Sequence, residues 1–111
     1  MKIGWTYILN SKSSKAVEQI KNRILENYNN TSNIKSELYH KDKSKTILTF
    51  DSQHNNFDVT DFLTNHLTLI SYHWHFSLSK DIQNINGFTS QPKNQHHDWV
   101  SFMFTDHLTI V

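Results

Sequence analysis

Three stretches of this chain alternate apolar and polar residues with a period of two, and that alternation restricts the fold more than any other feature. In "KIGWTYIL" (2–9), Ile3, Trp5, Tyr7 and Leu9 share one face. From 68 to 78, Ile70, Tyr72, Trp74, Phe76 and Leu78 lie on one side, and Ser71, His73, His75 and Ser77 on the other. From 98 to 111, Val100, Phe102, Phe104, Leu108 and Ile110 point in, while Trp99, Ser101, Met103, Thr105 and His107 point out. Successive strand side chains face opposite ways, so each stretch predicts a half-buried antiparallel strand.

One segment has the other period. Val17, Ile20, Ile24 and Tyr28 recur at spacings of three and four, with Lys15, Glu18, Lys21, Asn22 and Glu26 off that stripe. "NSKSS" supplies capping residues before it, so an amphipathic helix is predicted at about 13–28. Residues 34–40 read as a strand with Ile34 and Leu38 inward. "HKDKSK" reads as a turn, and 45–50 as the hairpin partner with Leu48 and Phe50 inward. Asp58 is placed to cap a short helix carrying Val59, Phe62 and Leu63, with a strand as the alternative. Residues 79–97, with Gly87 and Pro92, read as a long polar connection. "TNHLTLI" (64–70) and "TDHLTIV" (105–111) echo each other, but two copies do not make a repeat architecture. The expectation is a single α+β domain over 1–111. Its mostly antiparallel, twisted sheet has about five strands and one long helix on one face; a ferredoxin-like arrangement with an extra strand is one version. In it the 68–78 and 98–111 strands lie side by side.

Composition removes several kinds of chemistry. The chain of 111 residues has no cysteine, which excludes disulfides, thiolate metal sites and cysteine nucleophiles and fits a reducing cytoplasm. With only two glycines, Gly4 and Gly87, it cannot build the multi-glycine loops that cradle nucleotide phosphates. No apolar run reaches the length of a membrane helix, and "MKIGWTYILNSKSS" alternates like a strand rather than reading as a signal peptide. The Asn29 and Asn30 sequons matter only in a secreted protein. Residues 1–50 carry nine Lys or Arg against four Asp or Glu, a net +5. Residues 51–111 carry two lysines against six aspartates, a net −4, and hold seven of the eight histidines. Such asymmetry points to a polar partner if sequence halves are also spatial halves.

His73 and His75 raise the question of a metal. Residues i and i+2 on a strand point the same way, roughly 6.5–7 Å apart, which suits two ligands. A stable site needs a third and usually a fourth. No glutamate occurs after Glu37, and Ser101, Met103 or Thr105 would face the pair across the sheet. The expectation is therefore no metal and no cofactor. Side-by-side imidazoles also serve poorly as an acid–base pair, which needs rings on opposite sides of the reacting group. His96 and His97 read as loop residues, and no local motif marks a catalytic triad. The chain reads as a non-enzyme.

Binding is the remaining class. A basic rim formed by Lys12, Lys15, Lys21, Arg23, Lys41, Lys43 and Lys45 would suit single-stranded RNA, but the glycine and paired exposed aromatics of an RNA-recognition sheet are missing. A small RNA-binding protein is thus the alternative reading. The favoured surface is the outer face of the last two strands: His73, His75, Trp99, Met103 and His107, with Phe88 from the connection and Asp98 and Asp106 at the edges. Aromatics and methionine amid polar groups are typical of interface hot spots. In size and composition this cysteine-free, glycine-poor, Asn- and Lys-rich chain resembles the immunity proteins of bacterial polymorphic-toxin and contact-dependent growth-inhibition systems. The resemblance implies a cytoplasmic antitoxin that binds a cognate toxin domain, such as a nuclease, and blocks its active site. A basic toxin would then meet the acidic second half.

Overall fold

A computed structural model describes residues 1–78 and 85–105. Six strands form one sheet: β1 (Lys2–Leu9), β2 (Thr31–Leu38), β3 (Thr46–Gln53), β4 (His75–Leu78), β5 (Ile85–Thr89) and β6 (His97–Phe104). Their order is β2-β3-β1-β6-β5-β4, and every pairing is antiparallel. The helix α1 (Ser14–Leu25) leads from β1 to β2, and β3 folds back between those two strands. A second helical segment runs from α2 (Val59–Asp61) through a π-helical turn (Phe62–His66) to α3 (Leu67–Ile70).

This corrects the expected fold. Among the described residues there are six strands rather than about five, and two short helices rather than one long one, so the ferredoxin-like version with a single extra strand falls as well. The helix expected over 13–28 stops at Leu25, 12 residues long. The strand expected over 68–78 begins as helix, since Leu67–Ile70 closes the second helical segment, and only His75–Leu78 pairs. The polar connection contains β5, which inserts between β4 and β6 and keeps the two long alternating stretches apart. The inward assignment of Ile34, Leu38, Tyr72 and Phe76 also fails, since all four are exposed. The expected Leu108 and Ile110 positions lie outside the described residues.

The core occupies one face of the sheet. Ile3, Trp5, Tyr7 and Leu9 of β1, Leu48 and Phe50 of β3, and Val100, Phe102 and Phe104 of β6 are buried against Val17, Ile20 and Ile24 of α1 and Phe62 and Leu67 of the second segment. Trp5 sits at its centre, its ring within 5.3 Å of Tyr28, 5.8 Å of Phe102 and 6.0 Å of Phe62, centroid to centroid. Aromatic rings of this size carry much of the burial energy of a small domain. Asp58 accepts from the Asp61 backbone N–H at 3.1 Å, capping the second segment as its spacing predicts.

Candidate functional site

The second face of the sheet is uncovered among the described residues. Its side chains come from the alternate positions of each strand: His75 and Ser77 of β4, Asn86 and Phe88 of β5, Trp99, Ser101 and Met103 of β6, Gly4, Thr6 and Ile8 of β1, and Thr49 and Asp51 of β3. Register builds a ring stack here. His75 lies directly across from Phe88 and Phe88 from Ser101, so Trp99 is its diagonal neighbour. The His75 and Phe88 centroids are 4.9 Å apart with planes 20° from parallel, and Phe88 and Trp99 are 4.6 Å apart at 7°. The three rings stand side by side across three strands, each inner ring face covered by its neighbour.

Beyond the stack the surface dips. Gly4, Thr6, Thr49 and Ser101 form a floor of small side chains, and Phe88, Trp99, Met103 and Asp51 rise around it, enclosing about 550 Å³. Gly4 contributes openness rather than conformational freedom. A Cβ there would find only ordinary contacts, the nearest being Asp51 Oδ1 at 3.5 Å.

Of the expected site residues, the structure brings together His75, Phe88, Trp99 and Met103. His73 precedes β4; its backbone N–H donates to Ser71 Oγ at 3.0 Å, and its ring is not part of the stack. Asp98 occupies an irregularity in β6 and is tied to Lys45 in an ion pair. Asp106 and His107 lie outside the described residues. The two sequence halves are indeed two halves of the sheet, β2-β3-β1 from the first and β6-β5-β4 from the second. Yet the charge asymmetry is partly cancelled. Asp98 meets Lys45, and Asp51 meets Lys2 at 3.6 Å. Asp58 and Asp61 are used in the local hydrogen bonds of the second helical segment. Among the described residues the open face is therefore not an acidic surface.

Sequence reasoning missed a second cluster on the helix side. The hydroxyls of Tyr7 and Tyr28 are 3.2 Å apart, and His66 Nε2 is 3.2 Å from the Tyr28 hydroxyl. Trp5 Nε1 donates to Ser52 Oγ at 2.9 Å, which in turn lies 2.7 Å from His54 Nε2. Burial pushes the Tyr7 phenol up to about 12, against the opposing hydrogen bond from Tyr28. Burial, and after it the neighbouring Tyr7, also holds the Tyr28 phenol well above its ordinary value. Burial also lowers His54 and His66. His97 is pushed down to about 4, first by burial and then by His96. A register shift explains how His97 arrives here. Trp99 pairs with Ile8 but His97 with Leu9, so β6 carries one extra residue. Two residues apart on a regular strand would share a face; the bulge at Asp98 instead sends Trp99 to the open face and His97 onto the edge of the Tyr7 ring, 5.2 Å away. Tyr7, Tyr28, His66 and His97 line a cavity of about 380 Å³. The polar atoms of Tyr7, Tyr28 and His66 satisfy one another, the usual structural use of a buried polar network, and His97 joins them through its ring contact with Tyr7. A bulge leaves no mark in a sequence, so nothing in "HHDWV" announced this.

Among the described residues no group of three or more metal-ligating side chains comes together, and no helix is long and apolar enough to cross a membrane. No family model, curated protein or solved structure matches the chain.

Proposed function

We propose that this chain is a non-catalytic protein-binding inhibitor, an immunity protein that acts in the cytoplasm by seating a cognate toxin domain on its open sheet face and blocking the toxin's active site. The observation that carries the reading is the His75–Phe88–Trp99 stack, which walls a groove floored by small residues. A row of rings locked by mutual stacking loses little side-chain entropy on binding and presents a large contact area, as hot-spot residues do. The groove suits an apolar side chain of the partner inserted between Trp99 and Met103. Size and composition support the immunity assignment through the resemblance described above.

The same stack argues against single-stranded RNA. Bases bind by covering exposed ring faces, whereas Phe88 has His75 on one side and Trp99 on the other. If a toxin-like reading frame adjoins this gene, the test is growth rescue and affinity with its product. The parent chain should bind it and restore growth. Trp99→Ala should weaken binding by about 2 kcal/mol or more, the loss typical of a hot spot. Gly4→Val, which fills the groove from its floor, should also weaken it without unfolding the chain. Unchanged affinity in both variants would remove this face from the interface, and absence of rescue by the parent would remove the immunity reading.

A further inference from the structure

The strand β2 forms one edge of the sheet, and its residues Ser32 to Leu38 are all exposed. Tyr39 donates its N–H to the Lys45 carbonyl at 2.9 Å, on the β3 side. Backbone groups alternate sides along a strand, so Glu37 and Lys35 also turn theirs to β3. Ser36 and Leu38 therefore turn their N–H and C=O groups outward, and Ile34 has the same parity. The pairing register breaks between Ser32 and Lys35, and Asn33 takes a left-handed φ of 52°. This confines the regular outer edge to Ile34–Leu38.

We propose that this edge pairs with the same edge of a second copy, antiparallel about a two-fold axis at Ser36. A long unpaired edge is a template for another strand, and a two-fold contact requires a self-complementary patch. With outward residues facing one another, three registers are centred within this stretch. Centring on residue 35 sets Lys35 against Lys35 of the other copy. Centring on residue 37 sets Glu37 against Glu37. Centring on Ser36 sets Lys35 against Glu37 twice and Ile34 against Leu38 twice. Opposite charges directly across strands stabilise and like charges destabilise, so charge selects the third. It also covers Ile34 and Leu38, 42% and 55% exposed, on the helix side of the sheet. The result is one continuous sheet of twelve strands, with both helix layers on one side and both open faces on the other. Five residues per copy bury far less than the roughly 800 Å² per partner of a standard interface, so the dimer is a weak one, seen at high concentration.

The register can be read directly because the chain has no cysteine. Residues opposite each other in a hydrogen-bonded pair have Cα atoms about 5.5 Å apart, inside the disulfide range. Ser36→Cys should therefore form a disulfide dimer on mild oxidation, much faster than Leu69→Cys, an exposed site elsewhere. Lys35→Cys mixed with Glu37→Cys should form a mixed dimer faster than either forms its own. In the cysteine-free chain, the Ser36 and Leu38 amides should become protected from hydrogen exchange as concentration rises towards millimolar, while Lys35 and Glu37 amides are protected throughout. Lys35→Glu should weaken self-association by several-fold in sedimentation, and the double variant Lys35→Glu with Glu37→Lys should restore it. A chain that sediments as a monomer at every concentration, or a Ser36→Cys variant that links no faster than the Leu69→Cys control, would overturn the proposal. Cross-links that favour Lys35→Cys or Glu37→Cys alone would overturn the register.

Discussion

His97 is a base kept neutral by its position, and the consequence is a chain that weakens in mild acid. Its folded value of about 4 lies below the ordinary 6.5. The unfolded chain therefore takes up a proton that the folded one refuses. The stability linked to His97 is complete above pH 6.5 and is lost as the pH falls towards 4. Allowing for the part of the ring that reaches solvent, the loss is about 2 kcal/mol. His54 and His66 are lowered too and act in the same direction. Urea midpoints measured from pH 7.5 to 4.5 should fall steadily, and His97→Phe should flatten part of that fall; a flat profile in the parent would contradict the burial of the ring. Gly87 is the other sensitive position. A Cβ there would stand 2.8 Å from Phe102 Cε1 and 3.1 Å from the His75 carbonyl oxygen. Phe102 is buried and cannot retreat, so Gly87→Ala should cost about 1–3 kcal/mol by overpacking. An unchanged denaturation midpoint would mean that β4 and β5 part easily.

At the scale of elements, α1 holds to the sheet by its stripe. Ile24 is 3% exposed, and Ile24→Ala should cost about 2–4 kcal/mol through the cavity it leaves. Leu69→Ala, on an exposed residue, should shift the midpoint by less than about 0.5 kcal/mol. The stripe of α1 and the alternation of β1, β3 and residues 100–104 were legible because one face of each is buried and the other is not. Residues 59–70 were harder to read. Thr60, Thr64 and Thr68 favour strands by their branching, yet Thr64 Oγ1 donates to the Thr60 carbonyl at 2.7 Å and Thr68 Oγ1 to the Thr64 carbonyl at 2.9 Å. Burial of Phe62 and Leu67 holds the segment helical against that propensity. Beyond it, the apparent alternation through Tyr72 is coincidental, since Tyr72 lies on the surface beneath the Lys93 ammonium, 3.7 Å from the ring centroid. The strand β5 escaped notice because five residues centred on a glycine read as a turn. It is anchored by groups that sequence does not place together: Thr89 Oγ1 donates to Ser71 Oγ at 2.9 Å, and Ser71 Oγ to the Gln91 carbonyl at 2.8 Å. The candidate site was half legible for the same reason. Trp99 and Met103 follow from the period of β6, whereas the stack of Phe88 on Trp99 needs a strand that was not foreseen.

At the scale of the molecule, the β1–β6 pairing is, among the described residues, the strand pairing that joins the two halves of the sheet. Its register sets Trp5 against Phe102 and Tyr7 against Val100, all four buried. The polypeptide crosses between the halves once more, through the polar loop "HNNFD" at 54–58, where Asn55 and Asn56 are exposed. Cutting the chain between those two asparagines would leave each piece with its own strands already neighbours, and would bare the β1–β6 margin together with the Trp5–Phe62 and Tyr28–His66 contacts beneath it. Residues 1–55 and 56–111, produced as separate polypeptides in one cell, should therefore reassemble without a covalent link and unfold together in a single transition. Two pieces that co-purify only when Trp5 and Phe102 are intact would make this protein a ready source of split reporters, whose signal depends on one shared core.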